Sequence, residues 1–315
     1  MPCFNFIAYL ILQRLILFII LFFAGTQIAY GDNAVDSVIT HLKPSTVIRL
    51  DSLKLDKSGQ YDLFCDFSGN LFILDSDQNS IMKISGDGEV MNIIGGFGFG
   101  VRQFNSPRAM ASTDGGLNIY ILDAENRRVV RLTNSLKWIN QFEVDNEPGG
   151  KVIGELTGIA VNSQKEIFIS DPRNLRIIKF TQQGRFLEEI EGRSEFIEPG
   201  EIVIDKDDYL YVAGMVGIGI YLFDNLGNYV RKYSADDTES IGSIAVDESY
   251  FYYHDLNSSR IRVLSKKLLP LFELNIPAES EKKMSRAQIA SGLKGRVWIL
   301  DINHNRIYGY DPVKK

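Results

Sequence analysis

Five aspartates in this chain close short apolar runs: Asp75 after LFIL, Asp123 after IYIL, Asp171 after IFIS, Asp255 after FYYH and Asp301 after VWIL. Carboxylates repeated in this way could gather a divalent cation, or each could accept the backbone N–H groups of the turn that follows it. One slot repeated in separate units keeps the five apart, which argues for turn capping. Five residues beyond the Asp stand Arg128, Arg176, Arg260 and Arg306. Each begins the next apolar run, near enough to pair with its Asp. These nine residues are read as structural anchors of a repeat.

Other chemistry is sparse. The chain has three histidines, His41, His254 and His304. None falls on an expected innermost strand, so a histidine-held zinc is not expected. Glu201 opens such a strand where the preceding unit has Gly158, and it could ligate a metal. No Asn or Asp partner is evident at a matching depth. No nucleophile–base arrangement is legible either. Residues 95–100 are glycine-rich but run into Phe104-Asn105-Ser106-Pro107 rather than a helix, so they read as a linker and not a phosphate loop. Asp205-Lys206-Asp207-Asp208 lacks the length and closing Glu of a calcium loop and reads as a solvated turn. No cofactor is expected. Calcium or another divalent metal is called for only if the chain is a metal-assisted hydrolase or lactonase.

The elements that position these residues follow from the spacing. A sixth run, LYVAG, ends at Gly214 in the same slot without the Asp. The anchors 75, 123, 171, 214, 255 and 301 lie 48, 48, 43, 41 and 46 residues apart. A period of about 40–50 residues built from short strands marks a propeller blade. Turn residues between apolar runs divide each unit into four antiparallel strands. The last unit stops after its third strand, whereas Thr46 to Leu55 precedes the first unit and belongs to none. That segment is expected to complete the last blade and close the ring. The expected fold is all-β, a six-bladed propeller over residues 46–311, after a 32–45 linker and before a 312–315 tail.

The motif F-x-x-P, then an apolar strand, then I-Y-[IV]-x-D-x-x-N-x-R-[IV], resembles the NHL repeat. Residues 119–129 carry it most fully, and residues 95–107 resemble the linker that introduces such repeats. The resemblance implies a six-bladed propeller that works by binding, mostly of proteins and in some members of RNA. Related six-bladed propellers include enzymes, lactonases and peptidyl-hydroxyglycine lyases among them.

Residues 1–31 differ from the rest. One cation, Arg14, precedes an unbroken apolar run over 15–24, and Ala29-Tyr30-Gly31 offers small residues before Asp32. This is the layout of a cleaved export signal or an N-terminal membrane anchor. Either one places the folded part outside the cytoplasm, at the cell envelope or beyond. Without this segment 33 basic residues face 40 acidic ones, a net charge of −7. Such an acidic domain is a poor nucleic-acid binder. Cys65 is then the remaining cysteine, so no intrachain disulfide forms.

What remains is a surface. The residues that open the innermost strands should cluster at one mouth of the channel. Arg102, Arg108, Glu201 and Arg286 are the expected contacts to a protein partner or a small envelope ligand, made by a monomeric propeller. The loop from Gly214 to Gly219 adds Met215, Val216 and Ile218 as candidate exposed apolar groups.

Overall fold

The computed structural model describes residues 42–312, apart from 51–52, 54, 145–151, 192–197, 216–218, 235–239, 275 and 277–283. The N-terminal segment, Val216, Ile218 and the end of the tail lie outside the described residues.

Six four-stranded antiparallel sheets stand in a ring, with almost no helix: a six-bladed β-propeller. Blades one to five span 61–95, 107–143, 159–191, 199–233 and 241–274. Blade six takes three strands from 287–312. Its fourth and outermost strand, Leu42–Arg49, pairs antiparallel with Arg306–Pro312. That strand begins within the stretch expected as linker. The register shifts between Pro44 and Thr46, and this irregularity breaks the alternation that would mark the strand's start in sequence. A proline, which has no N–H to donate, fits an outer strand with one free edge.

The first strand of every blade touches the first strand of both neighbouring blades, and blade six touches blade one. These six strands therefore surround the axis. The second strands are buried on both faces, as in Ile167–Asp171 and Val297–Asp301. Being packed on both sides, they read as continuous apolar runs rather than alternating ones. Outer strands such as Phe186–Glu191 are partly exposed. The core is correspondingly divided: each apolar cluster lies between two adjacent blades. Trp298 of blade six, fully buried, packs in one cluster with Leu63 and Cys65 of blade one and Ile48 of the outermost strand.

The repeat anchors behave differently from blade to blade. Arg128 donates from Nε to Asp123 at 2.7 Å, and Arg176 to Asp171 at 3.1 Å, all four residues being buried. Arg128 does more: it donates to the carbonyls of Phe99 (2.7 Å) and Gln103 (2.8 Å), so it holds the glycine-rich linker before blade two. The Phe99 ring lies over its guanidinium at 4.3 Å. Arg260, in contrast, is exposed and pairs with Glu273 at 2.6 Å. Arg262 is the cation nearest Asp255, at 3.8 Å. Asp301 takes His304 as its partner at 2.6 Å. Asp75, which has Ser80 where the others have Arg, accepts the N–H groups of Asp77 and Gln78.

Two outcomes test these contacts. Arg128→Ala strands a buried carboxylate and should cost about 3–5 kcal/mol in denaturant unfolding; the exposed Arg260→Ala should cost under about 1 kcal/mol. Equal costs would show that the buried pair does not anchor its blade. Deleting residues 42–49 should replace one cooperative thermal transition by a broader one at lower temperature, and an unchanged transition would show that blade six holds without its outermost strand.

Candidate ligand site in the central channel

The register places one set of residues at the same level around the axis. Leu63, Met110, Ile159 and Ile289 pair with Ile73, Ile121, Ile169 and Ile299, each two residues before the anchor. Ile202 and Ile244 pair with Val212 and Tyr253 in the same way. The preceding residue in each blade is therefore equivalent: Asp62, Ala109, Gly158, Glu201, Ser243 and Gln288. Blades one and four oppose each other across the ring, so Asp62 and Glu201 face one another.

Asp62, Ala109, Glu201 and Gln288 border a cavity of about 440 Å³ walled by the innermost strands of all six blades. Asp62 accepts the Leu63 N–H at 2.8 Å and the Met110 N–H at 2.6 Å. Glu201 accepts the Ser243 hydroxyl at 3.2 Å, and that hydroxyl in turn accepts the Ile289 N–H at 3.1 Å. Side chains of one blade thus bond the backbone edge of the next.

Burial deep in the channel pushes the Asp62 carboxyl up from 3.8 to about 7, and the Met110 and Leu63 N–H groups only partly offset it. Burial also raises Glu201 well above the usual carboxylate range, and the facing Asp62 charge adds to this. Both side chains keep some contact with the open cavity, so water there moderates the penalty on their charged forms.

Three of the four expected contacts come together here: Arg108, Glu201 and Arg286 line the cavity. Arg108 pairs with Glu155 at 3.2 Å, and Arg286 donates to the Lys57 carbonyl at 3.1 Å. Arg102 lies in the exposed glycine-rich linker, away from the lining residues. Met215 is exposed and stands at the same cavity. His254 is buried in blade five against the Met284 carbonyl, and burial lowers its pKa. Neither His254 nor His304 lines the channel. Among the described residues, no group of three His, Cys, Asp or Glu side chains is placed to share a metal.

Asp62 corrects the expectation that Glu201 has no carboxylate partner at its depth. Blades two, four and five carry a register shift just before this level, between Pro107 and Ala109, Pro199 and Ile202, and Ile241 and Ile244. Blade one has none. Counting from the strand starts therefore misplaces Asp62, whereas counting back from the Asp anchors finds it.

No family model matches the chain, and no curated protein matches it in sequence. Solved structures do match. A virginiamycin B lyase from Staphylococcus aureus is 14% identical, with 86% of this chain and 100% of that one covered and a TM-score of 0.61. A streptogramin B lyase is 12% identical, covering 88% and 99%, also with a TM-score of 0.61. Hydrazine synthase from Kuenenia stuttgartiensis is 13% identical, covering 84% and 97%, with a TM-score of 0.57. At these identities the likeness shows the β-propeller fold alone. The NHL resemblance remains a reading of the blade motif.

The raised Asp62 pKa has a consequence for stability. Between about pH 4 and about pH 7 the folded protein holds the Asp62 proton that the unfolded chain has released. Its contribution is complete at the acid end and is lost as pH rises through the folded value. Asp62→Asn should therefore gain stability relative to the parent as pH rises across that window, measured by urea unfolding at several pH values. A difference that does not change with pH would show that Asp62 titrates normally.

Proposed function

We propose that this protein is an exported binding module of NHL type that takes a small ligand into one mouth of its central channel. The observation that carries this reading is the cavity itself. Its volume of about 440 Å³ falls within the roughly 300–1,000 Å³ of ligand pockets, which are mostly apolar with a few convergent polar groups. Here apolar residues such as Met110, Ile159 and Ile202 surround two facing carboxyl groups and two arginines. The acidic charge disfavours nucleic acid as the occupant. Export rests on residues 1–31, and the mass of the mature N-terminus tests it.

The second reading, a metal-assisted hydrolase or lactonase, draws on Glu201 and Asp62 facing one cavity. It requires a divalent ion that stays with the protein through dialysis and is lost in Glu201→Gln, as elemental analysis would report.

The binding reading is tested by saturation-transfer NMR with a fragment library, comparing the parent with Ala109→Phe, which fills the channel. Fragments should bind the parent and lose their signal with the filled variant. Hits that survive the substitution would place binding elsewhere and overturn the channel as the site.

A further inference from the structure

The innermost strand of each blade has one edge without a neighbouring strand, and that edge faces the channel. At the level described above, the residue after the polar slot turns its N–H toward this edge. Three of the six N–H groups are hydrogen-bonded by side chains. The Asp62 carboxylate spans two of them, Leu63 at 2.8 Å and Met110 at 2.6 Å. Ser243 meets that of Ile289, and the Glu201 carboxyl is the side chain facing that of Ile244. Ile159 and Ile202, neighbours on blades three and four, have no such side chain among the described residues. The slots that would cap them hold Ala109 and Gly158, which carry no acceptor. Gly158 cannot be replaced by a capping residue, because a Cβ there would lie 2.6 Å from the Gly200 carbonyl.

Two further donors belong to residues next to these slots. Arg108 adjoins Ala109 and lines the cavity, and its buried Nε has no partner among the described residues. Ser170 Oγ is buried, likewise without a partner among the described residues, and lies 3.2 Å from where a Cβ on Gly158 would sit. These donors outnumber the acceptor that the geometry sets beside them, the Gly200 carbonyl, and buried donors are costly to leave unpaired.

We propose that the gap at these slots binds the carboxylate of a small organic acid. Its two oxygens accept from Ile159 and Ile202 as the Asp62 carboxylate accepts from Leu63 and Met110, with Arg108 as counter-ion. The inference rests on the channel being a ligand site and adds what the ligand carries there. Asp62 serves as the internal template, since a planar pair of oxygens already spans two neighbouring strand edges at this level. The apolar wall around it, including Met110, Ile159, Val203 and Met215, suits a hydrocarbon tail rather than a bare inorganic anion. The titratable and charged groups on the wall are Tyr61, Asp62, Arg108, Glu155, Glu201 and Arg286. Asp62 and Glu201 hold their protons more readily than free carboxyls, so they tolerate an anion beside them at neutral pH. Binding should weaken as pH rises past about 7 and Asp62 ionises.

The test is isothermal titration calorimetry of the full chain with hexanoate, hexylamine and hexan-1-ol, on both sides of neutral pH. Hexanoate should bind at one site, more tightly on the acid side, and hexylamine should not bind. Arg108→Gln should weaken hexanoate about tenfold, the worth of one charge-assisted hydrogen bond. Ala109→Asp places a carboxylate in the empty slot and should exclude hexanoate. If that variant does not fold by circular dichroism, Arg108→Gln decides. Failure of hexanoate to bind, or equal binding to the parent and to Arg108→Gln, overturns the carboxylate site. Hexylamine or hexan-1-ol bound in place of hexanoate, and displaced by Ala109→Phe, would leave the channel as a ligand site while overturning the carboxylate. Binding of none of the three overturns the carboxylate, and the channel reading then stands or falls on its fragment screen.

Discussion

A closed ring of blades leaves the inner edge of each innermost strand with no strand to pair with, and this edge, unlike the outer one, faces a narrow channel. Buried N–H groups need partners, and around this channel most of the partners are side chains from the blade before. Asp62 and Ser243 do this at one level of the ring, and Glu201 accepts the hydroxyl of Ser243 behind it. The two channel carboxyls thus have a structural role before any functional one. Their raised pKa values follow from placing carboxyl acceptors inside the channel, where solvation is reduced.

The same need explains why the channel wall is uneven. Where the capping slot holds Ala109 or Gly158, the wall presents donors and open space. Where it holds Asp62 or Glu201, it presents acceptors. The six-fold backbone therefore carries an asymmetric lining, set by one residue per blade. Rigidity comes from elsewhere: apolar clusters shared between neighbouring blades, and the buried Arg128–Asp123 and Arg176–Asp171 pairs that tie strand ends and linkers together. A fold so divided can vary its inner residues without disturbing its core, which is why propellers host many activities and why fold alone does not name one.

The repeat anchors show how far a sequence pattern carries. Spacing alone predicts six blades and four strands in each, because turn carboxylates and apolar runs are local signals. The Asp–Arg pairing is equally visible at Asp123 and Asp171. At Asp255 the Asp-to-Arg spacing is kept, with Ser258 where the motif has Asn, and yet Arg260 turns outward to Glu273, because its surroundings across the sheet, and not its spacing, select the partner.

The sequence by itself determined the blade number, the strand content and the segments that build the inner wall. It also brought forward Arg108, Glu201 and Arg286, since strand starts in a propeller lie at a common mouth. Only the tertiary structure decided that Asp62 faces Glu201, that Arg102 stays outside, and that Ile159 and Ile202 lack a capping side chain. The reason is geometric. Which residues share a level around the axis depends on register shifts within individual blades. A one-residue shift changes where a side chain points without altering the apolar pattern from which the strands are read.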